Sequence, residues 1–193
     1  MHESSDPYTY PGTDVLRNIP GIRDPQSLAA FEANTTIARL AELDTAPLKG
    51  RFDIAHLKAI HKYIFQDVYS WAGEFRTVNV SKGGSLFGAA AFIEPALDAV
   101  LLKLPAERYL KGVDLSTFAR RAGFYLGEIN AVHAFREGNG RAQREFIRQL
   151  GIEAGFMIDW SRTSRQQLMA ASRESFSTGD NSGLADLIRG VIS

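Results

Sequence analysis

From residue 27 onward, apolar side chains recur at intervals of three and four, the pattern of helices with one face turned inward. Leu28, Phe31, Ile37, Leu40 and Leu43 trace the first stripe, with Ser27 as its predicted N-cap and Pro47 and Gly50 beyond its end. Asp53 opens a second helix along Leu57, Ile60, Ile64, Phe65 and Val68, followed by the turn-rich aromatic junction YSWAGEFR at 69–76. A third helix is predicted over roughly Glu94 to Lys103, closed by Pro105. Asp114 starts a long fourth along Leu115, Phe118, Ala122, Leu126, Ile129 and Val132. Three more follow, from about Gly140 to Ala154, near Ser164 to Phe176, and over Ser182 to Ile192 with Asp180 or Asn181 as cap.

Two stretches break the pattern. Residues 77–93 carry Thr77, Val78 and Val80, then the turn signal Gly83–Gly84 and Ser85-Leu86-Phe87, which predicts one short β-hairpin. Residues 1–26 are punctuated by Pro7, Pro11–Gly12, Pro20–Gly21 and Pro25, and are expected to be irregular and packed on the rest. The expectation is an all-α bundle over 27–193 with one β-flap.

Composition narrows the function classes. At 193 residues the chain suits one compact unit, since domains run to about 150 residues. Lys plus Arg and Asp plus Glu are both 22, so no basic excess favours direct binding of nucleic acid. The absence of cysteine excludes disulfides, a thiol nucleophile and a Cys-ligated metal. The most apolar region, Gly88 to Leu104, is interrupted by Glu94, Pro95, Asp98 and Lys103, too polar for a bilayer span. The N-terminus lacks a basic start with an apolar run, so a cytoplasmic protein without membrane contact is expected. His56 and His61 are five apart, on different helix faces and without HExxH, so structural roles are expected for both, and for Trp71.

Chemistry concentrates in V-H-A-F-R-E-G-N-G-R-A-Q-R-E-F-I-R, residues 132–148, which joins two amphipathic helices. Taken singly, its parts are ordinary: Gly-Asn-Gly is a helix stop, Arg141 and Glu145 a surface pair, His133 a helix end. Together they make a site. Gly138 and Gly140 let backbone approach a ligand, and the next helix offers a positive N-terminus for an anion. Arg141 and Arg144 lie in its first turns, where planar forks can hold phosphate. Glu137 can hold Mg²⁺ alongside phosphate oxygens, and His133 can take a proton near neutral pH. This combination fits phosphoryl or nucleotidyl transfer. It is not a Walker loop, because a helix precedes it and no Lys-Ser/Thr follows.

The segment HAFREGNGRAQR resembles the Fic motif, HxFx[D/E]GNGRxxR, at every defined position. The likeness continues in residues 52–76 and in the flap at 81–87, while residues 8–18 are similar to Fic toxins of bacterial toxin–antitoxin pairs and related effectors. Ala134 departs from the proline many members carry, with no loss of a reactive atom. The resemblance implies transfer of AMP from ATP to a hydroxyl of a target protein. His133 would take the hydroxyl proton, while Asn139 and the N–H groups of Gly138 to Gly140 would hold the α-phosphate. Glu137 would bind Mg²⁺, Arg141 the β-phosphate and Arg144 the γ-phosphate, with Phe135 anchoring the loop. The hairpin would dock the target, with Lys82, Leu86 and Phe87 clamping the modified residue. It further implies a small antitoxin whose [S/T]xxxE[G/N] helix is aimed at Arg144, since this chain holds no such motif. Gyrase and topoisomerase IV are the target class it points to. Two rivals stand beside it: a kinase-like relative transferring the γ-phosphate, against which Gly140 argues, and a non-catalytic anion-binding module.

Overall fold

The computed structural model describes residues 6–82 and 85–192, so the expected turn pair Gly83–Gly84 lies outside the described residues. The all-α expectation holds. Helix α1 spans Pro25–Thr45 and starts before Ser27, because the Asp24 side chain accepts from the Ser27 N–H at 2.7 Å and Pro25 occupies the first turn. Aspartate and serine cap about equally well, so the proline decides: at the first helical position it forgoes an N–H that has no helical partner. Helix α2 (Ile54–Phe65) is capped by Asp53 as expected. The hairpin is shorter than the 77–93 stretch: β1 (Ser81–Lys82) pairs antiparallel with β2 (Ser85–Leu86).

The third predicted helix is two. Helix α3 covers Ile93–Leu101 and α4 covers Lys103–Ala106, with Pro105 inside α4 rather than closing the helix. In a first turn, proline's missing N–H breaks no bond. Helix α5 (Leu115–Val132) is capped by Asp114, and α6 runs Asn139–Ala154. Helix α7 (Arg165–Thr178) begins with a capping box between Ser164 and Gln167. Asn181 holds the cap position of α8 (Ser182–Val191) without a capping bond, while Asp180 accepts from the Ser182 N–H at 2.8 Å.

Helices α2, α5 and α6 meet at the centre. Leu57, Ile60 and Ile64 of α2, Phe118 and Ala122 of α5, and Phe146, Ile147 and Leu150 of α6 are fully buried together. Helix α8 packs along α5, and α1 lies against α2. Arg148, which shares a helix face with Arg141 and Arg144, is spent on this frame: it bonds both Glu145 oxygens at 2.8 Å and the Leu43 carbonyl. From Asp6 to Asp24 the chain crosses the α2 end of the bundle, where Tyr8 meets Trp71 edge-on and the Ile19 N–H donates to Val68. Among the described residues no helix is long and apolar enough to cross a membrane.

Candidate active site

Helix α5 ends where the chemistry begins. His133 is its C-cap, in a left-handed conformation with φ 50°. A non-glycine residue there costs roughly 1–2 kcal/mol, so surrounding contacts must hold it. Its carbonyl accepts from Arg76 Nε at 2.8 Å, and its ring stacks on Phe87, centroids 3.9 Å apart and 13° from parallel. Phe87 in turn meets Phe176 of α7 edge-on at 5.1 Å. The flap phenylalanine therefore lies on the histidine, supported from behind by α7.

The loop to α6 closes on itself. Asn139 is buried, its Oδ1 accepting from the Phe135 N–H at 2.8 Å and its Nδ2 donating to the Phe135 carbonyl at 2.7 Å. Its amide thus shapes the loop, leaving backbone at the positive start of α6 to face the cavity. Phe135 points inward, stacked 3.8 Å from the His61 ring. His61 accepts the Gly73 N–H on Nδ1 at 2.9 Å, so its Nε2 carries the proton donated to the Glu137 carbonyl at 2.9 Å. Gly138 has φ 81° and lies so near Phe65 that a Cβ would stand 2.2 Å from the ring.

Burial pushes the His61 imidazole down to about 4, helped by the Arg141 charge and opposed by its bond to the Glu137 carbonyl. The unfolded chain takes this proton near pH 6.5, the fold only near 4, so stability is full above 6.5 and declines as pH falls between them. The group should account for about 2–3 kcal/mol of lost stability at pH 4.5 relative to pH 7. Denaturant unfolding of wild type and His61→Gln at both pH values checks this. An identical pH dependence in the two proteins would place the proton elsewhere.

The charged groups divide. Glu137 is half-exposed, with Oε1 accepting from the Gly138 N–H at 2.8 Å. Arg141 lies over Phe65 and is gripped by α1, with Nη2 2.5 Å from Glu32 Oε1 and Nη1 3.1 Å from Thr36 Oγ1. Tyr69 also donates to Glu32. Arg144 folds back over Gly140, where a Cβ would come within 3.1 Å of Nη1. Burial, then the charges of Arg141 and Arg165, push its guanidinium below its ordinary value.

A cavity of about 150 Å³ collects His133, Glu137, Asn139 and Gly140 with Phe87, Val80, Ser81 and Arg136. Arg141 and Arg144 are not among its lining residues, and the side chains of Lys82 and Leu86 lie outside the described part of the structure. A larger cavity of about 220 Å³ between α3 and α5 is mainly apolar and holds only Glu128 among charged residues. His56 bonds Leu48 and Gln149 within the frame, and the described residues contain no group of three or more His, Asp or Glu side chains placed to hold a metal. Glu32, His61 and Arg76 are the site residues that local reading misses, because each reaches the loop from a distant helix or turn. The YSWAGEFR junction at 69–76 is the one signal pointing toward Arg76.

Residues 51–150 match the Fic/DOC family, more than half of the chain. The chain belongs to the Fic/DOC family. It is 45% identical over 186 residues to the protein adenylyltransferase VbhT of Bartonella schoenbuchensis, covering 96% of this chain but 39% of VbhT. It is 36% identical over 192 residues to a probable protein adenylyltransferase Fic of Escherichia coli, covering 99% of this chain and 94% of the relative. Among solved structures, BepC of Bartonella tribocorum, crystallised with AMPPNP, superposes with TM-score 0.93 at 27% identity, covering 100% of this chain and 99% of that one. An ADP-bound Fic domain from Bartonella quintana gives 0.92 at 28% identity, covering 96% and 94%. The Fic fold extends beyond the matched region to nearly the whole chain.

Proposed function

We propose that this protein is a protein adenylyltransferase that moves AMP from ATP to a hydroxyl side chain of a target protein. The observation carrying this is one cavity lined together by His133, Glu137 and the first residues of α6, Asn139 and Gly140. His133 accepts the hydroxyl proton as the oxygen bonds to the α-phosphorus. The bond from that phosphorus to the bridging oxygen breaks, and pyrophosphate leaves with the electron pair. Backbone at Asn139 and Gly140, at the positive end of α6, stabilises the charge growing on the α-phosphate.

Arg141 spends two of its five N–H donors on Glu32 and Thr36, leaving three for the β-phosphate, with Glu32 fixing its direction. Arg144, which makes no ion pair among the described residues, addresses the γ-phosphate. The donor chemistry suits Mg²⁺: one half-exposed carboxylate on the cavity wall, Glu137, with phosphate oxygens as its other ligands. Bound there, the ion would neutralise phosphate charge; Glu137 is the residue that would hold it.

In the cell, the protein acts in the cytoplasm as the toxin of a toxin–antitoxin pair, restrained in trans by a small antitoxin whose [S/T]xxxE[G/N] glutamate pairs with Arg144. Its targets are type II topoisomerases, gyrase or topoisomerase IV, docked on the β1–β2 flap with Lys82, Leu86 and Phe87 near the modified residue. That Arg144 makes no ion pair among the described residues, and that the 193 residues carry no [S/T]xxxE[G/N] motif, support this.

Host lysate incubated in parallel with α-labelled and γ-labelled ATP tests the reaction. Protein should take label from α-labelled ATP only, and mass spectrometry of the band identifies the target. Label from γ-labelled ATP alone would make the protein a kinase-like relative, and label from neither would make it a binding module. Arg144→Ala should weaken ATP binding about 10- to 100-fold, the worth of one charge-assisted contact, as read by calorimetry.

A further inference from the structure

Arg76 is 2% exposed, and its guanidinium bonds carbonyls from three separate stretches of backbone. Nε donates to His133 at 2.8 Å and Nη2 to Val132 at 3.3 Å, at the end of α5. Nη1 donates to Val78 at 2.7 Å on the arm entering the flap, and Nη2 to Gly88 at 2.5 Å on the arm leaving it. Its own N–H donates to Ala134 at 2.9 Å. A cation at a helix C-terminus is favourably placed against the negative end of the dipole, which helps offset its burial. One side chain therefore ties both arms of the hairpin and the histidine turn to a single point.

The flap needs such a tie. Strands of two residues are far below the length at which a hairpin holds itself together. Apart from that pairing, the arms are joined by the Phe87 N–H to the Val80 carbonyl at 3.2 Å and the Ala90 N–H to Asn79 Oδ1 at 2.9 Å. Phe87, two residues beyond β2's first position, stacks on the His133 ring. Whatever sets the base of the flap therefore also sets the face against which the imidazole rests.

We propose that Arg76 is the positioning residue that locks the flap to the histidine turn, so that a target strand docked on the flap meets the His133 imidazole in fixed register. Docking of a target rests on the adenylyltransferase reading; the lock itself does not. A lysine at this position keeps the charge but cannot reach carbonyls in three directions, because it lacks the planar fork.

Hydrogen exchange of Arg76→Lys against wild type tests the lock without any activity. Amides of 77–82 and 85–92 and those of 132–138 should gain exchange together by tenfold or more, while α2 and the body of α6 keep theirs. Unchanged exchange in either segment overturns the proposal. Where wild type transfers AMP, Arg76→Lys should lower kcat about 100-fold and raise the target KM, the cost of roughly an ångström of misplacement. The ATP Kd should stay within about threefold, because the Arg76 bonds run to Val78, Gly88, Val132, His133 and Ala134 and to none of the groups proposed to hold phosphate. Wild-type kcat and KM in the variant would overturn it as well. If wild type transfers nothing, the enzymatic reading fails while the exchange result still decides the lock. If Arg76→Lys does not fold, wild type in graded urea below the global transition replaces it. Both segments opening with one midpoint support the lock, and separate midpoints overturn it.

Discussion

On the proposed reading, His133→Ala should lower AMP transfer to the target by about 10²–10⁴-fold and leave ATP bound with nearly wild-type affinity. The range is what a positioned base ordinarily contributes, and the two other charged groups on the cavity wall are already engaged. Glu137 is half-exposed and engaged on the Gly138 N–H, and Arg136 is cationic and paired with Asp6 at 2.7 Å. The variant should fold. His133 already occupies a left-handed cap at φ 50°, and alanine meets a similar backbone cost there. The Arg76 bond runs to the carbonyl, which every residue supplies. What the substitution removes is the ring stacked on Phe87, so the groups proposed to hold phosphate, Arg141, Arg144 and the start of α6, keep their places. Transfer of label from α-labelled ATP, with nucleotide affinity measured on the same preparation, checks both halves. Equal transfer by wild type and variant would remove His133 as the base; a parallel loss of ATP affinity would make it a binding residue instead.

The division between groups that react and groups that hold them explains what could be read from the chain alone. Helices were legible wherever a stripe such as Leu57, Ile60 and Ile64 faces the centre, because periodicity is a local property with a global cause. Ends were less so. At α1, Asp24 and Pro25 together outcompete Ser27, and at Pro105 a break after Leu101 turns an expected terminator into a first-turn residue. The candidate reacting residues, His133 to Arg144, sit within a dozen positions, so their spacing carries them. Their supports do not: Glu32 reaches Arg141 from α1, His61 reaches the Glu137 carbonyl from α2, and Arg76 reaches His133 from the aromatic junction. Nothing in local spacing marks a residue whose partner is a carbonyl many positions away. Phe87 shows the same limit, since an apolar residue after a turn can face a target or the protein, and here it faces the imidazole.

Gly138→Ala is expected to cost the fold several kcal/mol. Two penalties act at once. The backbone at φ 81° disfavours any Cβ by roughly 1–2 kcal/mol, and the Cβ would stand 2.2 Å from Cζ and 2.3 Å from Cε2 of Phe65. Phe65 has little room to yield: it is fully buried, stacked 4.7 Å from His61 and covered by the Arg141 guanidinium at 4.7 Å. Forcing a methyl into such a site adds about 1–3 kcal/mol, for a total of roughly 2–5 kcal/mol. For a chain of this size that is a fall in Tm of about 5–20 °C. Gly155→Ala separates the two contributions, because Gly155 has φ 90° and a Cβ there would meet nothing within 4 Å, so only the backbone penalty remains. The excess of Gly138→Ala over Gly155→Ala should shrink when Phe65→Leu is added, a coupling between neighbours that a double-mutant cycle measures. Equal losses at the two glycines would mean that the loop does not depend on lying against Phe65. The expected inequality ties stability and chemistry to one contact, since the ring that excludes a side chain at Gly138 also carries Arg141.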